Sequence, residues 1–140
     1  MKNITPFHLA IPVRDLAESR NFYTEVLNCE EGRSSADWVD YNFFGHQLVI
    51  HESQSYNFQE TSGHVDTHEV PIPHFGVVLP WHIFEKFATD LESKNINFII
   101  APSTRFKDEP GEQKTMFFKD PSGNTLEFKS FRNMNQLFEK

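Results

Sequence analysis

The sequence predicts an α+β domain built from two βαβββ modules whose curved sheets face each other across a concave space. Two observations carry that prediction: a strand leading directly into an amphipathic helix occurs at His8 and again at His74, and three strand-like runs follow each time. A third bounds the size, because 140 residues and 16.4 kDa, with 38% hydrophobic and 24% charged positions, describe one compact soluble domain and leave no space for two full ones.

From Phe7 to Val13, large apolar residues at 7, 9, 11 and 13 alternate with His8, Ala10 and Pro12, the period-2 pattern of a strand with one buried face. The period then changes. Asp15 is placed as a helix N-cap, and Leu16, Ser19, Phe22, Tyr23 and Val26 follow at spacings of three and four, so a helix is expected to end near Asn28. A short strand is expected near Glu31–Ser35. Ala36–Phe44 and Gln47–His51 then read as a hairpin split by Gly45-His46, which has the chemistry of a tight turn. Module one therefore occupies about residues 4–52.

Periodicity disappears over residues 53–72, where Ser, Gln, Asn, Gly, His and Pro dominate, and a linker loop is expected there. His64 and His68 fall in it and read as solvated, with ordering over a bound ligand as the sharper alternative. Strand character returns at His74–Leu79, and Trp81–Lys94 reads as a helix with Ile83, Phe84, Phe87 and Leu91 on one stripe. Asn97–Ile100, Thr115–Phe118 and Asn124–Phe128 supply three more strands, with turns at Lys107–Gly111 and Asp120–Asn124. Module two thus spans about 73–130, and 131–140 reads as a tail or a short terminal helix.

Three ligand-type side chains fall on the less apolar face of their strands: His8 opposite Phe7 and Leu9, His74 opposite Phe75 and Val77, and Glu127 opposite Leu126 and Phe128. If the apolar faces pack under the helices, all three point into the concavity. Two neutral imidazoles and one carboxylate form a set that holds a divalent metal and leaves coordination positions open. Ala10 and Gly76, two residues beyond each His, are small enough to leave room. Taken singly, a strand His facing a cavity is more often structural, but matching positions in duplicated units favour ligation. An unpaired Glu127 in an otherwise aromatic strand would be costly to bury, so it needs a cation, either a metal or a salt bridge to Lys129 or to the other sheet.

The segments Phe-His-Leu-Ala-Ile-Pro-Val-Arg-Asp-Leu around His8, Phe22-Tyr23 and Val26-Leu27, Pro-His-Phe-Gly-Val-Val-Leu around His74, and Phe117-Phe118-Lys119-Asp120-Pro121-Ser122-Gly123-Asn124-Thr125-Leu126-Glu127-Phe128 occur in that order. In these the chain resembles the vicinal oxygen chelate (VOC) superfamily, also called the glyoxalase, bleomycin resistance protein and extradiol dioxygenase family. The resemblance covers about residues 4–130 and implies the glyoxalase/dioxygenase-like fold, a curved, incomplete eight-stranded barrel. It also implies a divalent metal that chelates vicinal oxygens of a small-molecule substrate, with His8, His74 and Glu127 on the metal positions. Iron(II) is favoured, and manganese, nickel, cobalt or zinc would also suit two His and one Glu.

Departures from the subfamily patterns narrow the chemistry. Glyoxalase I enzymes carry a fourth ligand, usually Glu, on the last strand of module one. Here that strand offers Gln47, Val49 and His51, so Gln47 and His51 are candidates for weak ligation or substrate contact, His51 also for proton transfer, and Gln113 is a further candidate contact. Fosfomycin-resistance transferases carry a Thr and an Arg where this chain has Ala10 and Gln136. Extradiol dioxygenases carry a Tyr where this chain has Phe117, yet they share the three-ligand set and the Pro-Ser-Gly spacing before the Glu. The leading expectation is thus a dioxygenase-like metalloenzyme. The alternatives are a metal-dependent lyase or isomerase of glyoxalase type, or a non-catalytic drug- or metabolite-binding protein of bleomycin-resistance type.

Thirteen Lys and Arg against twenty Asp and Glu give a net charge of −7 and a pI near 5.4, which argues against nucleic acid and anionic membrane as partners. Lone Cys29 cannot form an internal disulfide, and the residues from Met1 to Pro6 lack the apolar core of a signal peptide, so a reduced, cytoplasmic protein is expected. A homodimer is expected from the resemblance. Trp38 and Tyr41 are expected either to line the pocket or to pack, while His46, His82 and Cys29 read as surface residues without a catalytic role.

Overall fold

The computed structural model describes residues 4–55, 61–65 and 68–140. Each βαβββ module forms its own mixed four-stranded sheet, and the two sheets have the same strand order. In module one β1 (His8–Val13) pairs in parallel with β4 (His46–Glu52), which is followed outward by β3 (Trp38–Phe43) and β2 (Glu30–Ser34). In module two β7 (His74–Phe75) pairs in parallel with β10 (Thr125–Phe131), followed by β9 (Gln113–Lys119) and β8 (Phe98–Arg105). By contacts, 4–55 and Asp120–Asn124 form one unit, and 61–65, 68–119 and Thr125–Lys140 form the other.

Local chemistry sets the helix ends. Asp15 caps α1 (Leu16–Asn21), its carboxylate accepting from the Glu18 amide at 2.7 Å. The helix then widens into a π-turn at Phe22–Val26, in which the Leu27 amide donates to the Phe22 carbonyl at 3.1 Å, and Asn28 ends it at φ 55°. That turn buries Phe22 and Tyr23 together. In module two, α2 (Trp81–Ser93) buries Phe84, Phe87, Ala88 and Leu91, while Ile83, expected on the same stripe, stays 38% exposed. Phe87 meets Phe128 edge-to-face at 4.9 Å, and Phe128 stacks on Phe118 at 5.8 Å, so these rings pack the helix on the sheet.

Three expectations are corrected. The predicted loop over 53–72 contains a hairpin of β5 (Thr61–Val65) and β6 (His68–Ile72), because backbone pairing does not require the hydrophobic alternation that this polar stretch lacks. The first hairpin turns at Phe44-Gly45, with φ of 52° and 89°, rather than at Gly45-His46, since two consecutive positive φ angles define the two-residue turn. The strand expected over His74–Leu79 is regular only at His74 and Phe75, and beyond them Val78 bridges Lys129. Residues Met134–Phe138 close the chain as a short 3-10 turn.

The turn from Asp120 to Asn124 belongs with the first unit. The Asp120 carboxylate accepts from the Ser122 and Asn124 amides at 2.9 and 2.8 Å, from the Tyr23 hydroxyl at 2.9 Å and from Asn124 Nδ2 at 2.9 Å. Asn124 also donates to the Pro12 carbonyl at 2.9 Å, and Ser122 Oγ accepts from the Arg14 amide at 2.9 Å. Burial raises the Asp120 pKa above its ordinary 3.8, against the lowering effect of these donors, and desolvation first, then the Asp120 charge, holds the Tyr23 phenol well above its usual range.

Replacing Asp120 by Ala strands four buried donors and is expected to cost about 2–4 kcal/mol in urea unfolding, against about 1 kcal/mol for Tyr23→Phe. Because the folded-state value is raised, the protonation contribution of Asp120 is full below pH 3.8 and is lost as pH rises through the raised value. The stability gap between wild type and Asp120→Asn should therefore move against wild type over that window. A gap that moves the other way would contradict the network as described.

Candidate metal centre

Alternation along β10 places the chemistry. Leu126, Phe128 and Ser130 are fully buried under α2, so Thr125, Glu127 and Lys129 take the opposite face, as the sequence parity predicted. On β9 the same rule puts Met116 and Phe118 in the core and Thr115 and Phe117 beside Glu127. Phe117 is the Cα partner of Glu127, and Thr115 is its diagonal neighbour.

His74 and Glu127 come together on this face, His74 Nε2 standing 3.0 Å from Glu127 Oε2. Thr115 Oγ1 donates to the other carboxylate oxygen at 2.8 Å, and Lys129 Nζ lies 3.7 Å from that same oxygen. The second imidazole nitrogen, Nδ1, is 2.6 Å from the Pro71 carbonyl on β6. A carbonyl can only accept, so Nδ1 carries a proton and Nε2 faces the carboxylate. Two lone-pair donors cannot approach to 3.0 Å without something positive between them, either a proton on Nε2 or a metal ion in its place. Ligands in cis positions with bonds of about 2.1 Å stand about 3 Å apart, so the separation of the pair is one that a shared divalent ion would need.

His8 lies in the first unit, and the arrangement there is of the same kind. Its Nδ1 is 2.8 Å from Gln47 Oε1, and Gln47 Nε2 donates to Asp40 Oδ2 at 3.4 Å. Asp40 accepts only, which fixes the Gln47 amide with its oxygen toward His8 and leaves the His8 Nε2 lone pair open. A backbone carbonyl or an amide holding the far nitrogen is the usual support of a metal-ligating histidine. Within either unit, no three described His, Cys, Asp or Glu side chains are grouped to hold a metal.

The remaining candidates separate. Gln47 contacts His8, as expected of a residue beside the site. His51 sits four residues further along β4, against the Trp38 ring at 6.4 Å, and Gln113 pairs with Phe131 at the far end of β10. Val49 occupies in module one the register position that Glu127 has in module two: two residues past the partner of its histidine. Tyr41 is a packing residue, 2% exposed with its ring 5.6 Å from Tyr23, and Trp38 lies under Arg33. His46 accepts from the Phe7 amide at 2.9 Å, and Cys29, expected at the surface, is instead buried in the core, which pushes its thiol up to about 12, so neither is poised for chemistry.

Gly76 has a different reason from the one the sequence suggested. A Cβ there would lie 1.6 Å from the Glu127 carbonyl oxygen, so glycine permits the close approach of the β7 extension to β10 rather than making room for a ligand. The face carries a cavity of about 130 Å³ lined by His74, Glu127, Thr115, Phe117 and Lys129, and by Arg105 from β8. Val65, His68 and Val70 of the β5–β6 hairpin form its other side. Arg105 escaped sequence reasoning because β8 runs beyond the expected end at Ile100 and shifts register once on the way, between Ile100 and Ser103.

The model of the Glyoxalase/Bleomycin resistance protein/Dioxygenase superfamily matches residues 5–128. The chain belongs to this family. A glyoxalase/bleomycin resistance protein/dioxygenase from Alicyclobacillus acidocaldarius is similar at 34% identity and a TM-score of 0.80, covering 99% of this chain and 100% of that one. A glyoxalase/dioxygenase from Nostoc punctiforme, at 18% identity and a TM-score of 0.67 over 90% of each chain, shares the fold. So does a fosfomycin resistance protein from Listeria monocytogenes, at 15% identity and a TM-score of 0.68 over 95% of this chain and 97% of that one. No curated protein matches the sequence significantly. Among the described residues no helix is long and apolar enough to cross a membrane.

Gly76→Ala should force β7 and β10 apart and cost about 3 kcal/mol in urea unfolding. Gly32→Ala, whose Cβ would meet the Asp40 Cβ at 3.4 Å, should change stability little. Comparable losses at both positions would contradict the close-approach account.

Proposed function

We propose that the chain is a metal-dependent enzyme of dioxygenase type acting on a small molecule with two adjacent oxygens. The observation that carries this reading is the 3.0 Å approach of His74 Nε2 to Glu127 Oε2, with Nδ1 already committed to Pro71. The proposed ligand set is His74, Glu127 and His8, with iron(II) the favoured ion. A divalent ion held there supplies Lewis acidity toward adjacent substrate oxygens and, as iron(II), reactivity toward dioxygen.

The chain's own residues do the rest. Thr115 holds one oxygen of Glu127 and leaves the other for the ion, while Pro71 sets the His74 tautomer. Phe117, its ring 5.1 Å from that of His74, fixes the imidazole plane and excludes water, but offers no hydroxyl for proton transfer. Val49 in the register slot matching Glu127 removes the module-one carboxylate that a glyoxalase-type proton transfer would use, which supports the oxygen-dependent reading. A homodimer in a reduced, cytoplasmic setting is part of the proposal.

The test is oxygen uptake by anaerobically iron-loaded protein offered a panel of catechols. Stoichiometric oxygen consumption with ring-cleaved product, lost in His74→Ala, is the expected result. Turnover of carbonyl substrates under argon with zinc or nickel would replace this reading with a lyase or isomerase, and ligand binding indifferent to metal would replace it with a binding protein.

A further inference from the structure

Strands β5 and β6 pair with each other and, among the described residues, with no strand of either four-stranded sheet. A two-stranded pair is marginally stable in water unless something packs against it or ties it down. Most of this hairpin faces outward, and its buried positions are Val70 and Pro71, next to each other on β6. Two side-chain bonds fasten it. Ser62 Oγ donates to Glu69 Oε1 across the pair at 2.6 Å, and the Pro71 carbonyl accepts from His74 Nδ1 at 2.6 Å. The second bond ties the hairpin to a residue whose other nitrogen stands 3.0 Å from Glu127 Oε2.

We propose that the β5–β6 hairpin is a metal-coupled cover, its order and the metal affinity of the site being linked through the His74–Pro71 hydrogen bond. This rests on the metal-chelating reading of the same site. An imidazole bound to a cation through Nε2 is a stronger donor at Nδ1, so loading the site tightens the bond to Pro71 and with it the hairpin. Linkage is reciprocal: a formed hairpin holds the imidazole with Nε2 toward Glu127, and so raises the affinity for the ion by the same factor. The hairpin also carries Val65, His68 and Val70 onto one side of the cavity, so the coupling covers the site when it is loaded. Pro71, which has no amide hydrogen to give to the ladder, still offers its carbonyl to the ligand.

The test is hydrogen exchange, followed segment by segment on metal-free and zinc(II)-loaded protein, with zinc(II) affinity measured by competition against a chromophoric chelator. Loading should slow exchange in β5 and β6 roughly 5- to 10-fold, while β2 and β3 of the first unit change less than about 2-fold. Val70→Ala, which thins the packing of the hairpin, should speed hairpin exchange in metal-free protein and weaken zinc(II) binding roughly 3- to 10-fold. Ser62→Ala, at an exposed position outside the cavity, should act in the same direction at roughly 2-fold, so a folding failure of Val70→Ala leaves the coupling testable. Zinc(II) binding that is lost in His74→Ala, but leaves hairpin exchange unchanged in wild type, would overturn the coupling while chelation stands. Slowing spread equally over every element, or variants that loosen the hairpin without weakening zinc(II) binding, would also overturn it. Wild-type protein that binds no zinc(II) would overturn both.

Discussion

A carboxylate on a strand whose other side chains include Leu126, Phe128 and Phe131 has to be held by something positive. Glu127 is 13% exposed, and leaving its charge unpaired there would cost several kcal/mol. The sheet meets that constraint with His74 from β7, Thr115 from β9 and Lys129 from its own strand. Each arrives by a regular feature of the fold: parallel pairing, antiparallel diagonal placement and same-face alternation. The arrangement leaves one carboxylate oxygen and one imidazole nitrogen facing each other, which is the property the proposed chemistry uses.

The two modules solve a common problem with different chemistry. In each, the histidine at the start of the first strand has its Nδ1 taken, by the Pro71 carbonyl in one and by the Gln47 amide in the other, so that Nε2 is presented. The duplication then breaks at the neighbouring register position, where module two has Glu127 and module one has Val49. A second asymmetry is the turn Asp120–Asn124, whose Asp carboxylate gathers four donors and ties Tyr23 and Asn124 into one buried polar network.

Much of this was legible in the sequence. The parity of Glu127, the Asp15 cap, the α2 stripe through Phe84, Phe87 and Leu91, and the Pro-Ser-Gly turn are local patterns that survive folding, whereas the parity expected around His8 fails at Phe7, which is 64% exposed. Thr115 could have been found too, since the five-residue turn fixes the β9–β10 register and that register makes it the diagonal neighbour of Glu127. Arg105 could not, because the β8 irregularities that aim it are set by pairing with β9 rather than by its own sequence. The β5–β6 hairpin was missed for a related reason: its strands carry little apolar alternation, and their order comes from backbone bonds. Gly76 was noticed but misread, because closeness to the Glu127 backbone is a tertiary fact.

The central claim is that the positive species between His74 and Glu127 is a metal ion in the working protein. It is tested most directly by metal analysis of untagged protein purified under argon, wild type beside His8→Ala, His74→Ala and Glu127→Gln. The account predicts about one equivalent of a divalent metal in wild type, iron above all, and its loss from each variant. Wild-type protein that holds no metal after reconstitution, or a His74→Ala variant that holds as much as wild type, would contradict it.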